Sequence, residues 1–564
     1  MKFLKNRLLL ITGLCTIFFF LGAFIKDELK TISAEDVSHA SKIIGMNFTK
    51  TETDSMLPLL EDQLKYFKGI DKYYSKIGIV QKPNSIPSAL DFDPVPAGKK
   101  FDKTKMPFIT SDYLGTTMPK NINDLAFYSI GQLAELIRTK KISSVKLTEF
   151  FMKRLLTYGE TLHCVINYTV NLAMAQAKKA DEEIAAGKYR GLLHGIPFGV
   201  KDMFYTEKYP TSFGSPPFKE QIVGYNATIV QKLEDAGAIL IAKLSLGELA
   251  MDDVWFGGKT RCPWDTSKGS SGSSAGPCAS VSAGLLPFAI GSETWGSIVS
   301  PSTVCGVTGL RPTYGRVSRF GAMALSWSMD KVGPICRNAE DCAIVFNAIY
   351  GQDGKDRTLK DLPFNYSPVK SIKGMKIGYF ESEFNRQDTV WKKFDEAALS
   401  KLKELGAILV PLTIPDLPIS DMQIILFAEC GAAFDELTRG GGDDQMIQQN
   451  KYSWPNIFRA SHFIPATEYI QANRLRYLLI GEMEKIMKQV DVCIVPSLTG
   501  DNLLMTNLTG HPCTVIPNGF LNEKTPASIV FIGQLYGEAK LLAITKYFQD
   551  KGDSHLKHPP MFIK

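Results

Sequence analysis

The chain has no Cys-x-x-Cys pair, and its seven histidines show no spacing that would ligate a metal. His555 and His558 form the only close pair, in a polar stretch near the C-terminus, so no metal site is expected. The ten cysteines are widely spaced. Cys164, Cys278, Cys305, Cys430 and Cys493 lie among small or apolar neighbours, where a free thiol acts as a small hydrophobe. A chain of 564 residues needs no disulfide staples. Charge of one sign is also scarce. Lys and Arg number 64 against 58 Asp and Glu, a net +6 spread along the chain. That distribution lacks the basic patch of a nucleic-acid binder. With 45% hydrophobic and 22% charged residues the chain is globular, long enough for one large domain or two or three ordinary ones.

The N-terminus differs from the rest. Lys2, Lys5 and Arg7 precede an apolar run from Leu8 to Ile25, ended by Lys26-Asp27-Glu28. This pattern predicts a targeting segment over residues 1–34, with the N-terminus inside and the remainder exported. The run is long for a signal peptide and just spans a bilayer as a helix, so cleaved signal and membrane anchor both stay open. Ala34 offers a cleavage site, with Ile32 poorly suited at −3.

Residues 35–120 read as an extension. Helices are expected over residues 35–45 and 53–74, the second with Met56, Leu57, Leu60, Leu64 and Phe67 on one face. A Pro-rich strap follows (Pro83, Pro87, Pro94, Pro96). From about residue 121 to 552, helix, Gly and apolar run alternate, which predicts an α/β layered domain with no second domain. Ser129 and Gln132 make a capping box for a helix to Arg138, and Ser143-Ser144 open another to Leu156. Residues 553–564 are set apart as a tail.

Two stretches carry chemistry. Ser270–Gly306 is poor in charge and rich in Gly and Ser, yet Val281, Leu285, Leu286, Phe288 and Ile290 call for a core. It reads as two serine-bearing turns, at Ser273-Ser274 and Ser297, joined by a short buried helix. The second stretch runs from His194 to Phe204, where Lys201 ends an apolar run. A lysine at the end of a buried strand loses its charge more readily and becomes a usable base near neutral pH. Buried Lys, relay Ser and attacking Ser would activate a hydroxyl without histidine. A rival lies in Gly272–Gly276, which fits the G-x-S-x-G nucleophile elbow and would make Ser274 the nucleophile. The elbow needs a hydrophobic strand before it, and the preceding residues Arg261–Ser270 are polar and turn-like.

The chain resembles the amidase signature family of Ser–cis-Ser–Lys amide hydrolases. The resemblance rests on Ser271–Gly276 (SGSSAG), Gly291–Ile298 (GSETWGSI), Leu193–Asp202, Gly257–Asp265, Cys305–Thr313, Asn507–Pro512 and Gly537-Glu-Ala. It implies a single α/β domain on a mixed, twisted central sheet covered by helices on both faces. It implies Lys201 as base, Ser273 as relay on a cis peptide bond and Ser297 as nucleophile. The backbone amides of Thr294, Trp295, Gly296 and Ser297 would form the oxyanion hole, with Ser274 supporting the lysine. No cofactor and no metal are required, and the expected partner is a small-molecule amide, with no nucleic acid.

The sequence departs from the family pattern at three positions. Glu293 stands for the usual Asp and Val299 for a frequent Arg, so a pair between them would be absent. Trp295 replaces a Gly, and its indole either narrows the pocket or turns away. Substrate choice is assigned to the variable segment 416–470, including the Gly440–Asp444 turn. Asp252 and Asp253 either face a polar or cationic substrate or lie as surface acids. Three functions follow: an amide hydrolase that is exported or membrane-anchored; an amidotransferase-like subunit releasing ammonia for aminoacyl-tRNA; or a catalytically weakened binding protein.

Overall fold

Short apolar runs separated by Gly-terminated helices assemble into one eleven-stranded sheet. The computed structural model describes residues 32–77, 92–385 and 389–563. In chain order the strands are β1 (Val165–Tyr168), β2 (Pro197–Lys201), β3 (Ile239–Leu244), β4 (Phe288–Glu293), β5 (Thr308–Arg311) and β6 (Lys331–Cys336). They continue with β7 (Lys376–Phe380), β8 (Ile408–Leu412), β9 (Val492–Pro496), β10 (Cys513–Leu521) and β11 (Thr525–Ile532). Across the sheet the order is β1-β3-β2-β4-β6-β5-β10-β11-β9-β7-β8.

The sheet is mixed. β2 runs parallel to both β3 and β4, and β7 runs parallel to both β8 and β9, while the remaining pairs are antiparallel. Helices flank it, and every residue of β2, β3, β4 and β6 is buried, as strands covered on both faces must be. This is the α/β architecture expected from the alternation. β1, β5 and β6 were not foreseen: four to six residues of mixed polarity carry too little periodicity to stand out.

The Gly- and Ser-rich stretch is more ordered than its composition suggests. The two serine-bearing turns are joined by the buried helix (α3, Ala275–Ser282) and then by β4, not by a helix alone, and a second helix follows (α4, Val299–Cys305). The small residues serve close packing. A Cβ on Gly291 in β4 would lie 2.7 Å from Ser274 Oγ, so only Gly lets the two segments meet. The helix expected to end at Leu156 runs from Ser144 to Leu162 and stops where His163 turns left-handed. Ser129 and Gln132 do form the capping box of Ile130–Arg138.

In the extension, α1 (Ala34–Ile43) and α2 (Lys50–Ile77) fold back on the main body. Met56 and Leu60 of α2 join Val37 and Ala460 in a small buried cluster. Ala460 belongs to α5 (Trp454–Ser461), where Arg459 meets Glu52 of α2 at 3.1 Å. Asp443 and Asp444 reach the same guanidinium at 2.6 and 2.7 Å. This carboxylate trio, the one cluster of metal-ligating geometry among the described residues, thus already holds a cation. Of the strap, Pro83 and Pro87 lie outside the described residues, as does most of the targeting segment. Beyond them Phe92 packs edge-on against Tyr314, at 4.7 Å between ring centres. At the far end Phe562 is fully buried and its carbonyl accepts from Arg154 at 2.7 Å, which docks residues 553–563 on the body. The nine described cysteines are all free and buried.

Candidate active site

The parallel register sets the site. Val200 of β2 lies opposite Ile290 of β4, so the next residues, Lys201 and then Ser292–Glu293, meet at the carboxyl ends of two parallel strands. Ligand sites of α/β sheets form there.

Lys201 is completely buried. Its Nζ lies 2.7 Å from Ser273 Oγ and 2.9 Å from Ser292 Oγ. Burial lowers its pKa to about 7, against the opposing pull of Asp330, Cys278 and Glu293. The Gly272–Ser273 peptide bond is cis. Gly272 has no room for a side chain, because a Cβ there would sit 1.6 Å from the Asp252 carbonyl oxygen.

Sequence reasoning missed Ser292. Its hydroxyl donates to Met203 Sδ at 2.9 Å, which leaves oxygen lone pairs free to accept an N–H of Lys201. Ser274 acts one step behind. Its hydroxyl donates to the Ser292 carbonyl at 3.0 Å and accepts from the Ser292 amide at 3.2 Å. Ser274 therefore holds the residue that holds the lysine. It also stands at the start of α3 with no strand directly before it, unlike a nucleophile elbow. The signal for Ser292 was present: it is the second residue of the Gly291–Ile298 motif that carries the family resemblance.

Thr294 to Ser297 form the turn between β4 and α4, with Gly296 at φ 88°. Among the described residues, no protein acceptor takes the amides of Thr294, Trp295, Gly296 or Ser297. The next two amides, Ile298 and Val299, both donate to Glu293 Oε2, at 2.9 and 3.0 Å. Glu293 Oε1 accepts from Arg311 at 2.6 Å and Asn507 at 2.8 Å. Burial raises the Glu293 pKa, but Arg311 and the hydrogen bonds from Val299, Arg311 and Asn507 outweigh it and hold the pKa at about 2. The ion pair thought to be lost with Arg at 299 is supplied by Arg311 on β5. The longer Glu also caps the start of α4, where a negative charge is favoured. On the other side of the turn, Thr294 donates to Asp330 at 2.5 Å.

Ser273 and Ser297 line one cavity of about 550 Å³. Thr294, Trp295 and Gly296 line it as well. Trp295 is 40% exposed there, so its indole narrows the pocket and fills no gap in the core. The variable segment contributes Leu426, Tyr452 and Trp454. Its Gly440–Asp444 turn does not reach the cavity and instead grips Arg459. The two acids divide: Asp252 is exposed and faces the cavity, whereas Asp253 is buried and accepts the Ser271 amide at 3.0 Å.

The sequence profile of the amidase family matches residues 146–505. The chain belongs to that family. It is 33% identical over 484 residues to a glutamyl-tRNA(Gln) amidotransferase subunit of Coxiella burnetii, covering 77% of this chain and 99% of the relative. The fold overlays the peptide amidase of Stenotrophomonas maltophilia with a TM-score of 0.71 and 25% identity, over 78% of this chain and 99% of that one. An amidase-family protein of Bacillus anthracis gives a TM-score of 0.69 and 28% identity, over 78% and 93% of the two chains. The amidase is thus an amide-hydrolysing enzyme of the amidase signature, and its mixed sheet is the family's fold.

Proposed function

We propose that the chain hydrolyses an uncharged, largely apolar carboxamide through an acyl-enzyme on Ser297. The observation that carries this reading is the 2.7 Å contact between buried Lys201 Nζ and Ser273 Oγ at the floor of the cavity that Ser297 lines. In the proposed cycle neutral Lys201 takes the Ser273 proton while Ser273 takes the proton of Ser297. Ser297 Oγ bonds to the amide carbon, and the carbonyl oxygen becomes an oxyanion. The free amides of residues 294–297 would stabilise it, each donor contributing about 10²–10³ in rate. The proton returns through Ser273 to the leaving nitrogen, the C–N bond breaks, and amine or ammonia departs. Water, losing its proton along the same relay, then releases the carboxylic acid. No cofactor enters.

The lining supports the substrate class. Met251, Trp295, Leu325, Leu426, Trp454 and Leu503 surround the serines. Asp252 is the one charged residue lining the cavity among the described residues. A free amino acid would leave its carboxylate unpaired against these walls, at considerable cost. The amidotransferase relatives favour a second reading, glutaminase activity that feeds ammonia to a partner. Separate assays of ammonia from glutamine and amine from apolar amides, with Ser297→Ala as control, distinguish them. Turnover of apolar amides alone supports our reading, and turnover of glutamine alone overturns it. The weakened-binder reading has less support, since Glu293 and Arg311 still brace the turn.

Export, and membrane association through the N-terminal segment, rest on the basic residues before the apolar run Leu8–Ile25. Among the described residues no helix is long and apolar enough to cross a membrane, and residues 1–31 lie outside them. Fractionation with N-terminal sequencing tests this. Intact chain in the cytoplasm would contradict export. The division into segment 1–34, extension 35–120, catalytic domain 121–552 and tail belongs to the same proposal.

A further inference from the structure

A second cavity of about 380 Å³ adjoins the catalytic one. Three elements carry the wall from one to the other. On α4, Ser300 faces the catalytic cavity while Thr303 and Val304, one turn on, face the second. In the segment before the cis bond, Ser271 lines the first and Gly269 the second. After β9, Gly500 and Leu503 line the first, Ser497 the second, and Leu498 both. Leu498 is thus the shared partition. It has a left-handed backbone (φ 60°), uncommon for a branched apolar residue, and it is 44% exposed. Such outliers concentrate where ligands are gripped. Val304, Trp391, Pro526 and Ala527 give the second cavity apolar walls. Asp265, Lys268, Asp395 and Lys524 also line it; Asp265 is bonded to Ser267 and Lys268 at 2.6 and 3.3 Å, and Asp395 is buried.

We propose that the two cavities form one groove, with the second chamber receiving the far end of an extended apolar substituent of the amide. Trp295, Tyr452 and Leu498, all large and exposed at the catalytic cavity, form an apolar surface along its mouth. A short amide fills the first chamber alone. An amide with a long apolar arm also desolvates the walls beyond Leu498. This assignment rests on the amide hydrolase reading and narrows its substrate class.

The test uses two homologous series with the full chain. One is acyl p-nitroanilides with acyl chains of two to twelve carbons. The other is N-alkyl butyramides with lengthening amine arms, followed by amine release. In one series kcat/KM is expected to climb by about three- to fourfold per added methylene while apolar wall remains to be covered. Val304→Phe, which fills the second chamber only, is expected to stop that climb at shorter arms and lower the long-to-short ratio of kcat/KM about tenfold or more. Leu498→Ala, which opens the partition, is expected to raise the same ratio. Turnover of short members with no dependence on length in either series would overturn the proposal. So would an unchanged profile in Val304→Phe and Leu498→Ala that melt like wild type. No turnover anywhere, together with no fluorophosphonate adduct on folded protein, would instead defeat the hydrolase reading and the groove with it.

Discussion

Ser292 Oγ sits 2.9 Å from Lys201 Nζ and points its own proton at Met203 Sδ, so it can only accept from the lysine. In the proposed relay the neutral lysine then has its lone pair left to take the proton of Ser273. Removing the acceptor in Ser292→Ala should leave Lys201 misoriented and cut kcat by about 10- to 100-fold, with KM little changed. The smaller change Met203→Leu frees the Ser292 proton and should cost less. Steady-state kinetics of the two variants check the order, and an unaffected Ser292→Ala would remove Ser292 from the relay.

The pH profile follows from the same lysine. Its pKa is lowered to about 7, and the neutral amine is the form that can accept a proton. Activity should therefore rise with pH through about 7 and level off above it. Lys201→Arg, which stays charged at every accessible pH, should be inactive throughout. A flat kcat/KM from pH 5 to 9 in wild type would contradict a titrating base.

Glu293 and Arg311 are both fully buried and 2.6 Å apart. Glu293→Gln leaves the guanidinium unpaired, which should cost about 3–5 kcal/mol of stability in urea unfolding. It also weakens the anchor of Ile298 and Val299, so activity should fall even where the fold persists. Glu293→Asp should retain the charge but reach the α4 amides poorly. A Gln variant as stable and active as wild type would show the pair to be dispensable.

These residues show how legible the site was. Lys201, Ser273 and Ser297 stood out because a buried base and two hydroxyls recur at fixed positions in ordered motifs. Arg311 did not, because it is eighteen residues from Glu293 and its partner is chosen by strand order across the sheet. The layered fold was visible in the alternation of helix and apolar run. β4 was hidden because its short apolar run Phe288–Ile290 follows a helix so closely that one buried helix accounts for both. Lining residues such as Leu426 and Trp454 sit on helices far along the chain from the serines, and the sequence does not encode locally which helix closes the cavity.

Trp295 stands partly exposed in the catalytic cavity. Trp295→Gly should widen the mouth and raise kcat/KM for bulky amides by about tenfold relative to small ones, a change comparable to a methylene or two of pocket space. Stability should change little at so exposed a site. Equal effects on small and bulky amides would show that the indole does not gate entry.

The extension reaches the pocket through α5, whose Ala460 packs on Met56 and whose Trp454 lines the cavity. Met56→Ala should destabilise by about 2–5 kcal/mol if the cluster cannot collapse. It should also raise KM more than it lowers kcat. A change in kcat alone would argue that α2 does not support the substrate wall.

The most direct test is intact mass after fluorophosphonate treatment of residues 35–564 and of its single-serine and lysine variants. One adduct on wild type, absent in Ser297→Ala and much slower in Lys201→Ala, is the predicted result. An adduct that persists in Ser297→Ala but disappears in Ser274→Ala would contradict the assignment of Ser297 as the nucleophile.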